Sequence, residues 1–213
     1  YFNYHIAAEI RLPDAINKKL LSPFQYFGIS DCVDLSTLRW VNGAYDKTQL
    51  NSIFSGNAQR ACLVVQKMNE LLLDIAQCRA LCFCVSQDHA VFMDEFFRGH
   101  GIHSAVLTAN SNAVERNSVQ QRLRDREINV LCVVDLYNEG VDIPEVNTVL
   151  FLRPTESLTI FLQQLGRGLR LAEDKECLTV LDFIGQANRK YNFEDKFAAL
   201  LSNTNRSVTR ELK

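Results

Sequence analysis

From residue 58 onward the apolar positions alternate between two textures. Ala61, Val64, Val65, Met68, Leu71, Leu72 and Ile75 recur at helical spacing and predict an amphipathic helix. Five short runs follow that are apolar almost throughout: 81–85, 104–107, 130–134, 148–152 and 178–181. Such runs read as strands buried on both faces. Helical stretches stand between most of them, at about Asp88 to Arg98, at about Asn112 to Arg126, and where Leu158, Phe161, Leu162 and Leu165 share a face. Strands alternating with helices predict a parallel sheet covered on both sides. In open sheets of this kind the chemistry gathers at the carboxyl ends of the strands, which puts Ser86, Thr108, the stretch 135–144 and Arg153 under scrutiny.

The first 57 residues read differently. They hold little sustained periodicity, a short helix around Asp14 to Leu20, an extended piece around Phe24 to Ile29, and an Asn42-Gly43 turn. Of the chain's 20 aromatic residues, 9 fall in this stretch, so its rings must be buried somewhere, in part against chain beyond this sequence. The expected organisation is a leading α+β segment over 1–57, an α/β domain over 58–185, and a helical tail over 186–213. The opening Tyr1-Phe2-Asn3-Tyr4 has no methionine, which suggests a piece of a longer protein.

With 23 Lys and Arg against 25 Asp and Glu, the net charge of −2 excludes a basic-tail mode of nucleic-acid binding but leaves room for a local phosphate-binding surface. No apolar run approaches the roughly 18 residues needed to cross a bilayer, and no membrane partner is expected. Cys62, Cys82, Cys84 and Cys132 sit inside apolar runs and read as small buried hydrophobes. The odd count of seven cysteines fits a reducing, cytoplasmic location better than a disulfide framework. Cys78, Cys82 and Cys84 invite a metal reading, but Cys82 and Cys84 lie on a strand without a second paired motif, and His100 and His103 flank a loop glycine, so no metal site is expected. Asp94-Glu95, and the arginines at 116, 122, 124 and 126 with their interleaved acids, read as solvated helix faces, and Trp40 as a packing anchor.

Two segments carry the chemistry. The first is Asp135-Leu-Tyr-Asn138-Glu139-Gly140-Val-Asp142-Ile-Pro144, and the second is Gln163-Gln164-Leu-Gly166-Arg167-Gly168-Leu-Arg170. On a helical turn Arg167 and Arg170 project the same way. Two convergent guanidinium groups make a clamp for phosphate or carboxylate. The glycines beside them let another surface approach the backbone, and Asp142 offers a carboxylate to a ribose hydroxyl or an arginine.

In this order and at this spacing the two segments resemble motifs V and VI of superfamily 2 helicases, in their second, RecA-like domain, and 81–86 resembles the motif IV strand. The likeness covers roughly residues 58 to 184. The wording Asn-Glu-Gly-Val-Asp-Ile-Pro is similar to the restriction, repair and DEAH-like branch. Val134, Glu139 and Gln164 depart from the DEAD-box RNA pattern, which favours DNA over RNA as partner. The resemblance implies a RecA-like parallel sheet with helices on both faces, the second domain of a P-loop NTPase-type helicase. It implies Arg167 and Arg170 as arginine fingers, Gln163 as a nucleotide sensor, Gly140 and Asp142 as ribose-side contacts, and nucleic-acid phosphates met around Ser86, Thr108 and Asn138.

The cofactor implied is ATP with Mg, held mainly by a preceding RecA-like domain of the same polypeptide. No Gly-Lys-Ser/Thr occurs here and no Walker B pair follows a strand, so this chain alone is expected to be inactive. The implied function is the carboxyl-terminal motor domain of an ATP-dependent DNA helicase or translocase. The alternative is a non-catalytic nucleic-acid-binding or scaffold module on a doubly wound sheet.

Overall fold

A computed structural model describes residues 12–41, 43–108, 110–134, 143–154 and 158–186. Six strands form one parallel sheet: β1 (Phe24–Asp34), β4 (Ala80–Phe83), β5 (Ser104–Leu107), β6 (Val130–Val133), β7 (Thr148–Phe151) and β8 (Leu178–Gln186), in the order β1-β8-β7-β4-β6-β5. A small antiparallel hairpin pairs β2 (Trp40–Val41) with β3 (Ala44–Tyr45). This is the covered parallel α/β sheet that the alternation predicts, and the RecA-like architecture that the resemblance implies.

The strand runs from 81 to 152 are apolar almost throughout, Ser104 and Thr148 excepted, because both faces are covered. Ala80, Cys82 and Cys84 belong to one core, with Ala61, Val64 and Met68 of α3 (Ala58–Leu71) and Ala90, Met93 and Phe97 of α4 (Gln87–Gly99). Leu81 and Phe83 point the other way, into a core with Leu123 of α5 (Ala113–Arg124) and Phe161 and Leu165 of α6 (Leu158–Gly168). Both α4 and α5 start on side-chain caps. The Ser86 hydroxyl accepts from the His89 amide, and Asn112 with Glu115 makes a reciprocal capping box.

The leading segment differs most from expectation. Its extended piece is an eleven-residue strand, β1, paired in parallel with β8, so the segment's strand is a strand of the main sheet. Its first helix, α1 (Leu12–Asn17), ends earlier than expected, with Lys19 in the left-handed region at φ 55°. A second helix, α2 (Lys47–Phe54), packs Leu50 and Phe54 with Val33, Leu35, Tyr45 and Val85 in a third core. Trp40 meets Tyr45 edge to face at 4.8 Å and serves as packing. An ion pair adds to the ladder that ties segment to sheet. Arg60 of α3 donates to Asp31 of β1 at 2.6 Å and to the Leu152 carbonyl at 3.0 Å, and lies 4.2 Å from the centroid of the Phe54 ring. The tail after Gln186 lies outside the described residues.

Two surface readings need correction. Asp94 is buried, because it accepts from the Ser104 hydroxyl at 2.7 Å and pairs with Arg98 at 2.7 Å; Glu95 alone is solvated. Cys62 is exposed rather than buried, since it lies on the outer side of α3. The arginine-rich α5 face is solvated, with Arg122 3.5 Å from Glu127 and Arg124 3.6 Å from Glu145. No helix among the described residues is long and apolar enough to cross a membrane.

Candidate functional site

The chain climbs β7, returns along α6, and enters β8 beside the start of β7. The end of α6 therefore lies at the amino edge of the sheet, opposite the carboxyl ends where the open-sheet rule looks for chemistry. Arg167 sits half-buried in the last turn of α6. Arg170 follows the helix end, on an exposed bend, so the two arginines do not share one continuous helix.

Two glycines bracket Arg167 and differ in their surroundings. A Cβ on Gly168 would meet Leu178 side-chain atoms at 2.7 and 2.9 Å and Val149 Cγ2 at 3.1 Å, so this position seats the helix end against β7 and β8. A Cβ on Gly166 would meet nothing within 4 Å. Gln163 is exposed on α6, whereas Gln164 is buried, its Oε1 without a hydrogen-bond partner among the described residues.

The helix end leaves carbonyls that no intrahelical donor reaches. Ser22, just before β1, donates its amide to the Leu169 carbonyl at 2.8 Å and its hydroxyl to the Arg170 carbonyl at 2.9 Å. Lys175, in the turn before β8, donates to the Gly168 carbonyl, to the Arg170 carbonyl at 2.8 Å and to the Pro144 carbonyl at 3.3 Å. Pro144 is two residues past Asp142, and Ile143 between them is buried in the same core as Leu165 and Leu169. The described chain thus re-enters, right after Gly140 and Asp142, beside the arginine-bearing helix end. Asn138, Gly140 and Asp142 themselves lie outside the described residues.

Ser86 and Thr108 occupy the opposite edge. Besides capping α4, the Ser86 hydroxyl donates to Asn51 of α2, whose amide donates to Asp88 at 3.2 Å. Thr108 closes the turn into α5: its hydroxyl accepts from the Asn110 amide and its own amide donates to Ser111, both at 3.3 Å. The structure therefore groups Arg167 and Arg170 at the amino edge and Ser86 and Thr108 at the carboxyl edge.

Sequence spacing paired Cys82 with Cys84; the fold adds Cys132 from the adjoining strand, and the three Sγ atoms lie within 4.8 Å of one another. Burial pushes the Cys82 thiol well above its ordinary range. Thiol hydrogen bonds from Cys82 and Cys84, then burial, do the same for Cys132. Burial raises Cys84 too, but hydrogen bonds from Cys132 and Cys82, with His89 and Arg60, together outweigh it and hold this thiol well below its ordinary value. The place of the three among Ala80, Met93 and Leu150 is that of core residues. Among the described residues no other group of three His, Cys, Asp or Glu side chains could share an ion. These soft donors do not suit Mg, which takes oxygen ligands. Ser22 and Lys175 are what the sequence reading missed. Lys175 stands among Glu173, Asp174 and Glu176 and reads as a solvated loop charge until the fold closes over it.

Comparison with known proteins shows the family and the fold. The family described as helicase conserved C-terminal domain matches residues 64–172, half of the chain. IRC3 of Saccharomyces cerevisiae, named for ATP-dependent helicase activity, is 25% identical over 183 residues, covering 82% of this chain and 25% of that protein. UvrABC system protein B of Chlorobium limicola is 36% identical over 103 residues, covering 45% of this chain and 15% of that protein. Among solved structures, the E. coli DEAD-box protein SrmB superposes with a TM-score of 0.53 at 19% identity, covering 77% of this chain and 78% of that one. A DEAD box protein from Methanococcus jannaschii gives 0.54 at 12% identity, covering 88% of this chain and 39% of that one. These structures share the fold. The chain spans about a quarter or less of the curated relatives named, and it belongs to the helicase conserved C-terminal domain family, as the second RecA-like domain of a superfamily 2 helicase.

Proposed function

We propose that this chain is the carboxyl-terminal motor half of an ATP-dependent DNA helicase or translocase, donating Arg167 and Arg170 to an ATP site whose other wall is a preceding RecA-like domain. The observation that carries the reading is the built helix end. Two arginines stand on a backbone whose carbonyls are tied down from both sides, next to an open Cα face at Gly166 and beside the chain emerging from Gly140 and Asp142. A cationic pair on a fixed backbone suits a triphosphate, and the donor set here offers cations but no phosphate-cradling loop. ATP with Mg would be held chiefly by the other domain, where it supplies the phosphoryl group to be cleaved.

This chain's own residues would then act in sequence. Closure brings Arg167 and Arg170 against developing negative charge, with Gln163 toward the nucleotide and Gly140 and Asp142 toward the ribose. Ser86, Thr108 and Asn138 would meet the nucleic-acid backbone, and opening after hydrolysis would shift the strand. On this reading the isolated chain does not hydrolyse ATP. DNA is favoured over RNA by Val134, Glu139 and Gln164.

The test is Arg167→Ala in the full-length protein. An arginine finger contributes about 10³ to 10⁵ in rate, roughly 4–7 kcal/mol of barrier. Nucleic-acid-stimulated ATP hydrolysis should be abolished while binding of single-stranded DNA is nearly unchanged. Full turnover in the variant would overturn the assignment.

A further inference from the structure

A helix end is a poor platform for a fixed pair of cations. Past Gly168 the backbone has left α6, and Arg170 rides on the bend that follows. Yet the carbonyls of Gly168, Leu169 and Arg170 are all satisfied, by Ser22 from one side and Lys175 from the other.

Lys175 is the unusual partner. It is only 8% exposed, and burying an ammonium group costs heavily unless its donors are used. All three N–H bonds have acceptors, and each is a backbone carbonyl: Gly168, Arg170 and Pro144. Burial pushes its pKa down to about 8, against upward pulls from Cys177 and Glu145, so the fold keeps a charge here against a desolvation cost. A side chain needed only to fill the space would be apolar. The place is also favourable for a cation, since a helix presents its negative dipole end there. Two of the carbonyls belong to the arginine-bearing segment. The third lies two residues past Asp142. A single ammonium group therefore joins the chain coming from Gly140 and Asp142 to the chain that bears Arg167 and Arg170.

We infer that Lys175 is a positioning residue for the nucleotide clamp, fixing through the Gly168, Arg170 and Pro144 carbonyls how Arg167 and Arg170 are presented to the opposite domain. The inference rests on the reading of those arginines as fingers. Lys175 touches no reacting atom, and it acts through the backbone of the residues that do.

The experiment uses the full-length protein carrying Lys175→Met, Lys175→Gln or Lys175→Arg, beside Arg167→Ala. ATP hydrolysis is measured with Mg-ATP and poly(dT), and poly(dT) binding is measured separately. A misplacement near 1 Å costs up to about a hundredfold in rate. Lys175→Met should therefore lose kcat by about tenfold to a hundredfold, while the KM for ATP and the Kd for poly(dT) shift by less than about twofold. Lys175→Gln and Lys175→Arg return N–H donors and should recover part of the lost kcat. A Lys175→Met protein with wild-type kcat overturns the inference, as does a loss carried mainly by KM or by poly(dT) binding. Where Lys175→Met does not fold, Lys175→Gln is judged by the same kcat and KM criteria. If Arg167→Ala is inactive and the Lys175 variants are not, positioning alone has failed. If Arg167→Ala turns over fully, the finger assignment itself has failed.

Discussion

Gly166 and Gly168 lie two residues apart on α6, and replacing each by alanine should move stability in opposite directions. Alanine within a helix is favoured over glycine by about 0.5–1 kcal/mol because less backbone freedom is lost. At Gly166 nothing stands within 4 Å of the new methyl group, so that gain is kept, at the lower end because the position is close to the helix end. At Gly168 the methyl group would come within 2.7 and 2.9 Å of Leu178 Cδ atoms and 3.1 Å of Val149 Cγ2. Both side chains are fully buried, so neither can swing into solvent. Overpacking of this kind costs about 1–3 kcal/mol, which outweighs the gain of about 0.5 kcal/mol at a helix end and leaves a net loss of about 0.5–2.5 kcal/mol. Urea unfolding at matched m-values reads both as shifts in the midpoint. Gly166→Ala should raise it and Gly168→Ala should lower it. Equal shifts, or a stabilised Gly168→Ala, would refute the argument that the helix end is seated on β7 and β8. In the full-length protein Gly166→Ala should lose ATP turnover despite its added stability, because the open face at that Cα is where the opposing wall would approach.

Two further predictions concern the carboxyl side of the sheet. Arg60→Met leaves the Asp31 carboxylate buried without its cation, a change that costs about 3–5 kcal/mol; Arg60→Met with Asp31→Leu removes both charges and should recover most of the loss. A double variant no more stable than the single one, by urea midpoint, would contradict this. His89 is held neutral by burial, with its pKa lowered to about 4. Between about pH 6.5 and 4 the unfolded chain binds a proton that the folded chain refuses, so stability should fall as pH falls, by about 3 kcal/mol in all. In His89→Asn, where the side-chain oxygen can still accept from the Val85 amide, that share of the slope should vanish.

The legible parts of this protein were those governed by local pattern. β5 matched its expected bounds because both of its faces meet neighbouring helices, and α5 began where Asn112 and Glu115 could cap it. β1 was legible only to Ile29, since from there buried and exposed residues alternate. One of the buried ones, Asp31, is stabilised by a partner 29 positions along the chain. Lys175 was illegible for the same reason: two of its acceptors belong to the end of α6 and the bend after it, and the third to the far end of the motif V stretch, 31 positions back. The choice of sheet edge separates the candidates. Looking past the carboxyl ends found Ser86 and Thr108, but the arginines ride on the return helix and so arrive at the amino end. The described chain leaves the carboxyl edge at Val134 and resumes at the amino edge at Ile143, beside Lys175. One short stretch of sequence thus connects the edge proposed to meet nucleic acid with the edge proposed to meet nucleotide. A motor needs those two edges to respond to each other. That connecting stretch ends on the carbonyl that Lys175 holds, so loosening that contact should uncouple ATP turnover from nucleic-acid binding before it unfolds the domain.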